Sequence, residues 1–321
     1  MNKGVLKIIL KLSFILLLTG TLVVYCEIQL RKIPNIYTVK KEIFERQLDS
    51  IQVLILGNSQ SQYDIDPDYF SSGSSKIKGF NLAYPSQSLY YDKELTFRYL
   101  DRIPKLKVVI ISVSYFSLWS ELYSAVESWR DAGYMFWNIK SNDPRFFDIR
   151  RSSYIALYGI DYAQDLLRRN FKNVYVDYPA VNGHGIEHLH HGIVLTVDAG
   201  KVRVKTHNDM MHYELINNNI DYMQSLITEL KSRNIFTAII TTPVYKTYYE
   251  NIDVKKEEIN EDILNKLSVK NNVRYFNYLR DNRFDSTDFM NNDHLDNKGI
   301  EKFSKILNED IIKSSNVFTG N

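Results

Sequence analysis

Two short stretches near opposite ends of the chain hold residues suited to nucleophilic chemistry. Gly57-Asn58-Ser59 closes the apolar run Val53-Leu54-Ile55-Leu56, and Asp293-His294-Leu295 stands just before a helical pattern. A hydroxyl at a strand-to-helix turn is a candidate nucleophile. Serine is weak at neutral pH and needs a base, which a histidine brought close by folding can supply. The imidazole in turn needs an orienting group. Asp293 is adjacent, but neighbouring residues rarely point the same way. Asp288 and Asn291 are the alternatives, the latter because an amide can also orient the ring, as in papain-like cysteine proteases.

Positioning these residues requires elements at both ends of one domain. The run 51–56 is almost continuously apolar, as expected of a parallel strand buried on both faces. Gly79-Phe80-Asn81-Leu82 reads as a second strand, ending in the turn Tyr84-Pro85-Ser86, and Ser88 is placed to cap a helix to about Leu100. Residues 108–113, 235–241 and 273–276 read as three more strands. Ile216, Ile220, Met223, Ile227 and Leu230 repeat at helical spacing, as do Ile263, Leu264 and Leu267, and then Ile300, Phe303, Ile306, Leu307 and Ile311. This alternation predicts an α/β fold, a parallel sheet with helices on both faces, whose sites lie at the carboxyl ends of the strands. Ser59 falls there. Pro243, in the stretch after the fourth strand, is on the same face; it either lines the site or simply ends the strand.

Residues of about 117–207 break the alternation. They hold Trp119, Trp129 and Trp137 and a glycine- and histidine-rich loop at 182–192. They read as an insertion on the catalytic face, where loops set substrate choice. His184, His188, His190 and His191 crowd this loop, but only the first pair has helical spacing, so no metal site is predicted. His207 precedes a helix and is a candidate contact for an anionic or sugar substrate, or a structural cap.

The chain has 321 residues, 44% apolar and 24% charged, which is ordinary for a folded protein. A net charge of +2 gives no reason to expect nucleic acid. The 23 tyrosines suit sugar faces as well as cores, and the core is the commoner use. Cys26 is the single cysteine, so no internal disulfide can form. No cofactor is expected. From Gly4 to Cys26 the chain is apolar except at Lys7 and Lys11, whose stems can snorkel. Lys3, Lys7 and Lys11 place the N-terminus in the cytoplasm. The bulky Leu22-Val23-Val24-Tyr25 offers no cleavage site, so residues 1–26 read as an uncleaved cytoplasmic tip and signal anchor in the cytoplasmic membrane. Residues 27–50 then form a stalk, helical at 39–48, followed by a domain at 51–312 and a tail at 313–321.

Gly57-Asn58-Ser59-Gln60-Ser61 resembles the first block of the SGNH, or GDSL-like, hydrolase superfamily, whose serine sits in a G-[DN]-S turn rather than a G-x-S-x-G elbow. Asn81-Leu82-Ala83-Tyr84-Pro85-Ser86-Gln87-Ser88 is similar to the second block, with Ser86 where a glycine donates to the oxyanion. Ser112-Val113-Ser114-Tyr115 occupies the third block without its asparagine. The last block, Asp-x-x-His, has Asn291 in place of the aspartate. The resemblance implies a flavodoxin-like three-layer α/β/α sandwich with Ser59 as nucleophile and His294 as base. Oxyanion donors would come from Ser59, Ser86 and a hydroxyl such as that of Ser114, Ser112 or Tyr115, with Tyr84 and Gln87 beside the substrate. With a single anchor, the chain resembles teichoic-acid D-alanylation and alginate O-acetylation proteins. That implies a serine O-acyltransferase or esterase acting on acyl, chiefly acetyl, groups of a cell-surface polysaccharide. Its domain would lie outside the cytoplasm, beside a membrane-bound O-acyltransferase partner. The departures in blocks two to four keep open a catalytically eroded protein of glycan binding or envelope-polymer assembly.

Overall fold

The computed structural model describes residues 3–32, 34–72, 74–144, 149, 153–156, 179–185, 193–269, 272–313, 315 and 317–318. The chain forms two compact units, one of residues 1–35 with 143–176 and one of residues 36–142 with 177–321.

The first unit contains helix α1, Lys3–Arg31, whose 29 residues are apolar and long enough to cross a membrane. At 1.5 Å per residue it reaches about 43 Å, beyond the roughly 30 Å of a bilayer's hydrocarbon core. Its leucines, isoleucines and valines are exposed along almost the whole length, a surface that water disfavours and lipid does not. Towards its end the Glu27 carboxylate accepts from the Tyr154 amide at 2.7 Å and the Ser153 hydroxyl at 3.1 Å, while the Arg31 guanidinium stands over the Tyr154 ring.

The second unit is built on a five-stranded parallel sheet. Its strands are β1 (Val53–Leu56), β2 (Gly79–Asn81), β3 (Val108–Ser112), β4 (Phe236–Thr241) and β5 (Val273–Asn277), and their spatial order is 2-1-3-4-5. Residues of each strand alternate between two cores. Leu54, Leu56, Val109, Ile111 and Ile239 join one, and Val53, Ile55, Val108, Ile110, Ala238 and Ile240 join the other. The first core is covered by α2 (Ile36–Glu45), α4 (Leu89–Tyr99), α6 (Ile216–Ser232) and α8 (Val254–Ser268). The second is covered by α9 (Asn297–Leu307), which buries Ile300, Phe303 and Leu307 at helical spacing. The shorter α3 (Ser59–Asp64), α5 (Val197–Asp209) and α7 (Lys246–Tyr249) lie in the connections. The five apolar runs read as strands are thus the five strands, and the expected helices lie on both faces.

One expectation changes. Residues 27–50 do not form a single stalk: α1 continues to Arg31, and α2 buries Tyr37, Lys40 and Phe44. The reason lies in the sequence, because Tyr37, Phe44 and Leu48 put an apolar stripe on an otherwise charged segment. The strand order reverses beside β1, where chain crossovers leave to either side. That switch point opens a crevice at the carboxyl ends of β1 and β3, and Ser59 follows β1 directly.

Candidate active site

The turn that presents Ser59 depends on Gly57. Its φ of +132° is one that L side chains rarely adopt, and a Cβ there would stand 2.6 Å from Ser61 Oγ. Asn58 caps α3 by accepting from the Gln60 amide at 3.1 Å, and its own amide donates to Ser114 Oγ at 2.8 Å. A six-residue helix has little stability of its own, so these bonds fix where its first residue, the half-buried Ser59, projects.

A second turn faces the first. The Tyr84 amide donates to Gly57 O at 3.3 Å, and Ser86 takes a φ of +57°. Serine therefore adopts here the left-handed backbone that glycine favours, at a cost of about 1–2 kcal/mol. Charged groups hold the turn from several sides. The buried Lys40 ammonium donates to Ala83 O at 2.5 Å and lies 4.4 Å from the Tyr84 ring centre. The Ser86 hydroxyl donates to Glu127 at 3.1 Å, and Glu127 is paired with Arg130 at 2.7 Å. Asp92 joins the two turns by accepting from the Gly57 amide at 2.9 Å and the Gln87 side chain at 2.6 Å. Burial pushes the Asp92 carboxyl up to about 7 in spite of these donors.

His294 arrives on a loop shaped by Asn291, whose side-chain oxygen accepts from the Asp293 and His294 amides at 3.0 and 2.9 Å. The imidazole lies between two carboxylates. Asp64 Oδ1 is 3.5 Å from Nδ1 and also accepts from the Leu295 amide at 3.1 Å. Asp293 Oδ2 is 3.9 Å from Nε2, 3.8 Å from His207 Nε2 and 2.8 Å from Arg203 Nε. Burial pushes Asp64 up to about 6 against the pull of His294. Against the same cost of burial, Arg203, His294 and His207 hold Asp293 down to about 2. Burial would lower His294, but Asp293 and Asp64 outweigh it and raise it above 6.5. Burial dominates at His207 and takes it down to about 3.

Ser59, Ser86 and His294 line one cavity of about 350 Å³, together with Arg203, His207 and Glu127. The backbone amides of Ser59 and Ser86 have no acceptor among the described residues. A hydroxyl and an imidazole, the pair that nucleophilic chemistry needs, thus share one cavity.

Of the other anticipated residues among those described, His207 alone lines this cavity. Asp288 is fully buried on Lys302, Lys298 and the Asp285 amide. The Ser114 hydroxyl is held by Asn58 and Gln60. Tyr84 stacks on Tyr37 within the core, Gln87 bonds Asp92 and Tyr134, and Pro243 is buried after β4. His207 reaches the cavity, with its Nδ1 on the Tyr248 hydroxyl. His184 is buried with Nε2 2.8 Å from Tyr63 O, whereas His188, His190 and His191 lie outside the described residues. No group of three or more histidine, cysteine or acidic side chains suited to a metal ion occurs among the described residues.

Asp64, Arg203, Glu127 and Arg130 are site residues that the sequence reading missed. Asp64 had one signal: it is the only charged residue of 59–64, at the end of the helix that Ser59 begins. Compared with known proteins, the chain matches no protein-family model and no curated sequence.

Proposed function

We propose that this chain is a membrane-anchored serine esterase or O-acyltransferase of the SGNH type, acting on acyl groups, acetyl foremost, of a cell-surface polysaccharide. The observation that carries the reading is the convergence of Ser59 and His294 on one cavity, with the Asp64 carboxylate behind the far nitrogen of the imidazole. Ser59 Oγ attacks the acyl carbonyl carbon while His294 Nε2 takes the hydroxyl proton. The Ser59 and Ser86 amides hold the tetrahedral oxyanion. Asp64, rather than Asp293, Asn291 or Asp288, orients the ring through Nδ1. The C–O bond to the departing alcohol then breaks, His294 returns the proton to that oxygen, and an acyl-Ser59 remains. A sugar hydroxyl or water attacks it by the same steps in reverse.

The positive charges ahead of the apolar centre of α1 support an N-terminus inside and a domain outside the cytoplasmic membrane. A membrane-bound O-acyltransferase is the partner that would deliver acyl groups there. One observation favours the alternative of a catalytically eroded protein of glycan binding or polymer assembly. Of the hydroxyls expected to complete the oxyanion site, that of Ser114 is already engaged by Asn58 and Gln60, and that of Tyr115 by Asn208 and the Asp253 amide. Hydrolysis of p-nitrophenyl acetate by the full-length protein in detergent separates the two readings. Turnover by the wild type that is abolished in Ser59→Ala and His294→Ala supports the enzyme. Equal rates in all three support the eroded protein.

A further inference from the structure

We propose that a second cavity, where the chain leaves β4 and β5, binds pyranose units of a polysaccharide chain. It measures about 350 Å³ and is lined by Tyr245, Lys246 and Tyr249 from one side and Asn282, Phe284 and Asp285 from the other. Three of these are half-buried aromatic rings, and all three are braced. The buried Phe289 packs against Tyr245 and Phe284, with ring centres 5.5 and 6.1 Å away. Arg280, paired with Glu257, stands 5.4 Å over Tyr249. Rings already fixed by packing lose little entropy on binding.

The chemistry of the lining selects the ligand. A pyranose has an apolar C–H face that stacks on such rings and a rim of hydroxyls that both donate and accept. The Lys246 ammonium, the Asn282 side chain and the Tyr245 and Tyr249 hydroxyls make no hydrogen bond among the described residues, and the Asp285 carboxylate lies on the same wall. They supply both donors and acceptors. A phosphate-like anion would meet Asp281 and Asp285 beside Lys246 and an Arg280 already paired with Glu257, and an acyl chain would meet charged groups on both walls.

The position ties this cavity to the first. Tyr245, Lys246 and Tyr249 line the second cavity, while the neighbouring Tyr248 holds His207 in the first. The Tyr245 amide donates at 3.0 Å to Asn292 O, two residues before His294. One short segment therefore separates the two spaces, so a polymer whose acylated sugar lies at Ser59 can lay neighbouring sugars here. The proposal takes its polymer from the function proposed above but not its acyl chemistry.

Titration of the full-length protein, in a detergent without a sugar headgroup, with chitopentaose and maltopentaose tests it. Wild type and Ser59→Ala should bind at least one of them equally. Tyr249→Ala and the exposed-site variant Asn282→Ala should weaken that binding by about tenfold or more, with unfolding temperatures unchanged. Failure of both sugars to bind the folded protein, or unaltered binding by both cavity variants, overturns the proposal. Sugar binding without ester turnover would remove the acyl chemistry and leave this subsite standing. Turnover without sugar binding would do the reverse.

Discussion

The two cavities at the carboxyl ends of the strands are equal in volume, about 350 Å³ each, yet their walls are of different kinds. Around the first, Asp64, Asp293, His207 and His294 are all buried, and their charges act on one another through little solvent. That is why Asp64 lies near 6 and Asp293 near 2 although both are aspartates. Around the second, Lys246, Asn282 and Asp285 are exposed, and water screens them. Size thus does not distinguish the two cavities, whereas burial of titratable groups against one another does.

Substitutions around the first cavity test that contrast. Ser59→Ala should have the largest effect, lowering ester turnover by about 10³-fold or more without lowering the unfolding temperature. A smaller loss would remove the first cavity from the chemistry. Asp64→Asn should cost about 10²–10⁴-fold, because the amide no longer holds the reactive tautomer. It should also move the pH profile. His294 acts as base only when neutral, so turnover falls as pH drops through its raised pKa, above 6.5. Removing the Asp64 charge lowers that pKa, and the limb should shift to lower pH. A limb that stays in place in kcat/KM profiles would dissociate Asp64 from His294.

Ser86 gives a smaller and more discriminating effect. Ser86→Gly suits a φ of +57° and should retain turnover, with stability within about 1 kcal/mol of wild type. Ser86→Val cannot hold that backbone easily and should lose about 10²-fold in kcat as the amide moves. Equal rates for the two would exclude this amide as a donor. Asp92→Asn should act on stability rather than on turnover. The Asp92 carboxyl goes from 3.8 up to about 7 on folding, so the native state binds its proton more tightly and wild-type stability falls as pH rises between these values. The variant lacks that loss. It should match wild type near pH 4 and exceed it by about 1–3 kcal/mol at pH 8, read by urea unfolding.

The middle of the sheet was legible in the sequence because a strand buried on both faces is apolar throughout, as Val53–Leu56 and the run 108–111 are. By contrast, β2 and β5 carry Asn81 and Arg274 and were legible from their place in the alternation. Ser59 was legible as the residue following β1 and His294 as one just ahead of α9, and both line the first cavity. The carboxylate proposed to orient the imidazole was not. Asp293 is next to His294 in sequence but turns towards Arg203, whereas Asp64 comes from the far end of the chain and meets the ring only once α3 docks. Tyr84 and Gln87 showed the same limit from the other side. They flank Ser86 in sequence, yet their side chains go into the core, Tyr84 onto Tyr37 and Gln87 onto Asp92. A backbone turn can be read from spacing, but the direction of each side chain leaving it is decided by packing.

The central claim is that Ser59 is an activated nucleophile, and intact-mass analysis after fluorophosphonate treatment tests it most directly. The full-length protein in detergent should gain one phosphonyl adduct at Ser59, and Ser59→Ala and His294→Ala should gain none. An unmodified wild type that is demonstrably folded, or an adduct that persists in Ser59→Ala, would contradict it.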